Sequence, residues 1–151
     1  MAELKARLRA DLNAAMRARD QARMRALRMA LTSITNEEVA GAAARDLSDD
    51  EIVKVLAREV RKRREAAEAF SAAGRDDRAA AERAEGNVLA AYLPAQLSDD
   101  ELADLVAAVI AETGAAGMAA MGQVMKAATS KVAGRADGAR VAAEVRRRLS
   151  A

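Results

Sequence analysis

Leu47-Ser48-Asp49-Asp50-Glu51-Ile52 and Leu97-Ser98-Asp99-Asp100-Glu101-Leu102 are nearly the same six residues, met twice in one chain. Each is a helix start. The serine hydroxyl can take the amide of the residue three places on, and the glutamate there can reach back to the serine amide. The flanking leucine and the following Ile52 or Leu102 sit where a hydrophobic staple forms. The sequences around the two copies do not match, so they read as one solution used twice and not as a duplicated domain.

Apolar spacing outward from these starts is helical throughout. After Ser48, Ile52, Val53, Leu56, Val60, Ala67 and Phe70 share one face. After Ser98, Leu102, Leu105, Val106, Val109 and Ile110 do the same. Upstream, Leu4, Leu8, Leu12 and Met16, with Ala15 beside them, form a first stripe. Met24, Leu27, Leu31 and Ile34 form a second, which Asp20 can cap and Gly41 weakens or ends. Gly74 is a stop and Asp76 a cap for a short alanine-rich helix ending near Tyr92. Downstream, Gly114 and Gly117 close one helix. Met121, Val124, Met125 and Val132 predict another, and Asp137 caps a last one buried through Val141, Val145 and Leu149.

Composition agrees. Apolar residues make up 52% but aromatics only 1%, so the apolar share is largely alanine, the best helix former. Strand-favouring residues are scarce. The single proline, Pro94, breaks the pattern, because it disfavours helix before it and lacks an amide hydrogen. The expectation is an all-α chain: a four-helix unit over 1–93 and a compact three-helix unit over 97–151.

Histidine and cysteine are both absent. That removes disulfides, thiol chemistry, imidazole acid–base chemistry and the usual zinc sites. No cofactor and no metal is expected. The N-terminus is charged from the outset and no apolar run approaches a membrane span, so neither a signal peptide nor a membrane segment is expected. A soluble, cytoplasmic protein is the resulting expectation.

The 25 basic and 23 acidic residues nearly balance, so the distribution carries the information. Residues 1–30 hold eight basic groups against three acidic ones. In the helix after Ser48, Lys54, Arg58, Arg61 and Lys62 project away from the apolar stripe. The tail adds Lys126, Lys131, Arg135, Arg140, Arg146, Arg147 and Arg148. Such clusters meet phosphate or are simply solvated, and the last three also suit a helix C-terminus. Arg63 is different. It falls on the apolar side, one turn after Glu59. Either the two form an edge ion pair with the arginine head reaching water, or they belong to a partly buried network with a ligand role. Glu38 continues the stripe of Leu27, Leu31 and Ile34. It marks where that stripe runs out, or meets Arg63 or Arg28 across a helix interface.

Other motifs carry less. Gly117 and Gly122 lack the Lys-Ser/Thr of a phosphate loop. Ser130 and Lys131 are adjacent on a helix and point about 100° apart, so they make no nucleophile pair. Asp137 would fill its own helix N-terminus and repel an anion. Met118, Met121 and Met125 read as core, with an adaptable contact surface as the alternative.

Several stretches together resemble the YqeY-like family, in that family's order and over nearly the whole chain. They are Leu27-Arg28-Met29 with Asn36-Glu37 downstream, Arg58-Glu59-Val60-Arg61-Lys62-Arg63, and Ala73-Gly74-Arg75-Asp76-Asp77. Tyr92-Leu93-Pro94-Ala95-Gln96-Leu97-Ser98, Met121-Gly122-Gln123-Val124-Met125 and Gly134-Arg135-Ala136-Asp137-Gly138 complete the set. The family is similar to the C-terminal tail of GatB, the B subunit of the glutamine-dependent amidotransferase acting on mischarged Asp- or Glu-tRNA. Similar domains are appended to some glutaminyl-tRNA synthetases. The resemblance implies a helical, tRNA-associated accessory module, with an amidotransferase or synthetase as possible partner. It also carries the label of a carbon–nitrogen ligase with glutamine as amide donor. The activating and amidase parts of that machinery have no counterpart in these residues, and no catalytic residue carries over. Three readings follow: an RNA-binding module, a subunit or enzyme of amide transfer, and a helical protein–protein adaptor.

Overall fold

A computed structural model describes residues 2–151. It contains seven α-helices and one 3-10 turn, and no strand among the described residues. The chain forms two compact units that meet in sequence at Leu93 and Pro94.

In the first unit, α1 spans Glu3–Ala18, α2 Gln21–Glu38, α3 Asp49–Ala72 and α4 Asp76–Ala90. Its core gathers Leu8, Ala26, Leu27, Ala30, Ile34, Ile52, Val55, Leu56, Val60 and Leu89, all at most 3% exposed. Alanines at the α2 contacts let neighbouring backbones approach closely. Both halves of the α3 capping box form: Glu51 N donates to Ser48 Oγ, and Ser48 N donates to Glu51 Oε2 at 2.9 Å. Leu47, beneath it, is buried. α1 has no side-chain cap of its own. Asp49, at the start of α3, accepts from the Leu4 amide at 3.0 Å and supplies one from a distance of 45 residues.

The first unit departs from the sequence reading in four places. Met16 is 39% exposed, and the buried edge of α1 runs through Lys5, Leu8 and Ala15. α1 packs against both α2 and α3, and Lys5 lies on the side that meets Glu38 of α2. α2 stops at Glu38, before Gly41, with Val39 as its C-cap. In α3, Val55 is buried where Val53 is only half-buried. Finally, Arg75 and not Asp76 is the N-cap of α4, which ends at Ala90. Asp76 and Asp77 occupy the first turn, where their charge complements the helix dipole. Gly74 ends α3 in the left-handed region, at φ 75°.

The second unit packs α5 (Asp99–Thr113), the 3-10 turn (Met118–Ala120), α6 (Met121–Val132) and α7 (Gly138–Leu149) around Val106, Val109, Val124, Ala128, Val141 and Val145. Ser98 and Glu101 form the second capping box. Gly114 caps α5 at φ 64° and Asp137 caps α7 by accepting from Ala139 and Arg140 amides. The segment after Pro94 is tied down by its backbone: Leu97 N donates to Arg135 O at 2.7 Å, and the Gln96 amide donates to Pro94 and Gly134 carbonyls. Among the described residues, no single helix is long and apolar enough to cross a membrane.

Candidate functional site

The candidate basic residues divide into groups with very different surroundings. In the second unit most are occupied. Lys131 donates to both oxygens of Glu112, at 2.9 and 2.8 Å. Arg135 is half-buried and covers the end of α6, donating to the Val132 and Lys131 carbonyls. Arg140 donates to the Leu97 carbonyl at 3.0 Å and to Asp99 at 2.9 Å, which fastens the start of α5 to α7. Arg147 and Arg148 both converge on Glu144, one turn back. Hydrogen bonds from Arg147 and then Arg148 hold that carboxyl below the usual carboxylate range, against its burial. Only Lys126 and Arg146 remain exposed without a side-chain partner among the described residues. The seven basic side chains of the tail are matched by seven acidic ones between Asp99 and Glu144.

On α3 the solvent side keeps more free charge. Lys54, Arg58, Arg61 and Lys62 are exposed, as expected, and Arg64 joins them. Arg58 pairs with Glu37 of α2 at 3.3 Å, with both partners about half exposed. Lys62 donates to Glu59 at 3.3 Å. Lys54, Arg61 and Arg64 have no hydrogen bond or ion pair among the described residues. Glu65 and Glu68, also exposed, lie one turn further on and lower the net charge of this face.

Beneath that face lies a polar cluster. Glu59 is 5% exposed. It accepts from Ser33 of α2 at 3.0 Å, from Lys62, and from Arg63 at 3.2 Å. Arg63 is 15% exposed and meets groups from three helices, more than a pair at the edge of α3 alone would. It lies against Met29 Sδ and faces Glu82 of α4 at 3.6 Å. Glu82 Oε2 makes no hydrogen bond. The cluster therefore joins α2, α3 and α4: hydrogen bonds satisfy Glu59, and Glu82 is paired with Arg63 by charge alone. Its chemistry is that of a clasp: the charges are neutralised in place and leave little for a ligand.

Glu38 does not belong to it. It is 7% exposed, and its partner is Lys5 of α1, not Arg63 or Arg28. The grouping of Glu38 with Glu59 and Arg63 is thus corrected, for a geometric reason. Glu38 closes the last turn of α2, where α1 passes, whereas Ser33 and Met29 face α3. Lys5 reads as a solvated cation in sequence, because nothing local marks the partner 33 residues away.

Two further features escaped the sequence reading. Tyr92 is 8% exposed, donates to Asp11, and has the Arg7 guanidinium 4.8 Å above its ring. Burial, then Asp11, pushes the phenol up to about 12. Phe70 is half-buried with Arg78 over its ring at 5.7 Å. Neither aromatic ring is open as a stacking platform. Among the described residues, no group of three or more acidic side chains is placed to hold a metal ion.

The family profile described as "Yqey-like protein" matches residues 5–149. No curated protein matches the chain.

Proposed function

Because the chain belongs to the Yqey-like family, we propose that it is an RNA-associated helical module, without catalysis of its own, that holds a folded RNA such as tRNA by its phosphates. The observation that carries this reading is the α3 face: Lys54, Arg61 and Arg64 have no partner among the described residues, Arg58 stands beside them in an exposed pair with Glu37, and the exposed Lys62 pairs with the buried Glu59. Exposed pairs are worth little and exchange readily for phosphate. The tail's basic residues are the poorer candidates, because Glu112 holds Lys131, Asp99 holds Arg140 and Glu144 holds both Arg147 and Arg148. The occupied aromatic rings support backbone contact over base stacking. An amidotransferase or synthetase complex is the natural setting for such a module. The reading as an enzyme of amide transfer is the weaker one, since the buried carboxylates are spent on structural pairs.

The test is salt-dependent binding of a tRNA transcript. Lys54→Glu, Arg61→Glu and Arg64→Glu together disturb no pair among the described residues. They should lower affinity at least tenfold at low salt and reduce the slope of log affinity against log salt by about 2–3. Arg146→Glu, Arg147→Glu and Arg148→Glu together should change it less. Absence of RNA binding by the native protein at low salt overturns the reading. One observation favours a second reading, that of an adaptor: a groove of about 350 Å³ lined by Ala107, Ile110, Ala111, Arg147, Arg148 and Ala151. Loss of a protein partner on Ile110→Glu, with RNA binding absent, would select it.

A further inference from the structure

The closed end of the α1–α2 hairpin gathers three arginines that the pairs described above do not use. Arg17 lies in the last turn of α1, and Arg19 is its C-cap. Arg28 comes from the second turn of α2, but its Nη2 reaches back to Met16 Sδ at 3.5 Å. That contact brings its charge toward the same end. All three are exposed, and Arg17 and Arg19 have no side-chain hydrogen bond or ion pair among the described residues. The neighbouring acid, Asp20, is occupied as the α2 cap, accepting from Arg23 N at 3.2 Å. Arg19 also sits at φ 56°, a left-handed position that glycine would take without cost. A charged side chain stands there in a strained backbone position.

We infer that this hairpin end is a second phosphate-contact surface, used together with α3 by one extended RNA. The inference rests on the RNA reading above. It adds a requirement on the ligand. Arg58 meets Glu37 near the far end of α2, and Arg63, further along α3, lies against Met29, so the α3 face runs from that end back toward the middle of α2. Asp20 to Glu37 is about 25 Å at 1.5 Å per residue. A free phosphate or a nucleotide cannot reach from Arg19 at the hairpin end to Arg58 on α3; a rigid RNA stem can. Among the described residues, Met16 is the one large apolar side chain at the hairpin end that is open to solvent, which leaves little to insert into a lipid surface.

The experiment uses the full chain and the same tRNA transcript. Arg17→Gln, Arg19→Gln and Arg28→Gln together should reduce the salt slope by about 2–3 and affinity at least tenfold, with unchanged helical circular dichroism. Arg19→Gly alone should raise the melting temperature and still weaken RNA binding. A merely structural arginine would not give those opposite signs. If the native protein binds tRNA and the triple variant keeps both slope and affinity, this inference fails while the α3 reading stands. If the native protein binds no RNA, both fail. Binding to anionic lipid vesicles in place of RNA also overturns it.

Discussion

Lys5 donates to Glu38 inside the first unit, joining the start of α1 to the end of α2, with both side chains near a tenth exposed. Two charges removed from water stabilise a fold only while each has the other. Lys5→Met should therefore cost about 3 kcal/mol by leaving Glu38 buried and unpaired, and Glu38→Leu a similar amount. The double variant should recover most of that loss. Urea unfolding of the four proteins checks it. Additive losses in the double variant would show that the two groups do not depend on each other.

The hydroxyl of Tyr92 is the fold's reporter at high pH. Its folded value, about 12, lies above the ordinary value of 10, because of burial and then Asp11. The contribution is thus fully present below pH 10 and lost as pH rises through 12. The chain has one tyrosine, so the ultraviolet tyrosinate titration reads it alone. Asp11→Asn should lower the midpoint toward 10 without reaching it, since burial remains. An unchanged midpoint would count against the Asp11 contribution.

Acid should act through Glu51. The bidentate contact from Arg45, and then the Ser48 amide, hold its carboxyl down to about 2, from an ordinary 4.5. A lowered value gives stability that is present above pH 4.5 and lost as pH falls through 2. Arg45→Ala should flatten the acid limb of the stability curve measured by circular dichroism. Ser48→Ala and Ser98→Ala should each cost about 1 kcal/mol through loss of a cap.

Glycines should respond in opposite directions. A Cβ at Gly86, in α4, would meet the Arg63 Cβ at 3.3 Å, and Arg63 is held by Glu59 and Glu82. Gly86→Val should cost about 1–3 kcal/mol by overpacking. Gly122, in α6, has nothing within 4 Å of its would-be Cβ. Gly122→Ala should stabilise by about 0.5–1 kcal/mol. Thermal unfolding of both variants tests the contrast.

The all-helical fold, both capping boxes, the Asp20 and Asp137 caps and most core positions of α5, α6 and α7 were legible from residue order alone, whereas in α2 the buried Ala26 and Ala30 were not. Each depends on residues within one or two turns, and caps and apolar period act at that range. The family was legible too, from short motifs kept in order over residues 5–149. Tertiary structure decided what separate segments do to one another. It turned α1 so that Lys5 is buried and Met16 exposed, gave Glu38 to Lys5, and drew Arg63 inward among Glu59, Met29 and Glu82. It also engaged most of the tail's cations with nearby carboxylates and left those of α3 and the hairpin end freer. A side chain's charge is written in the sequence. Whether that charge is spent on a neighbour or left for a ligand depends on distances of a few ångströms between helices, and only packing sets those.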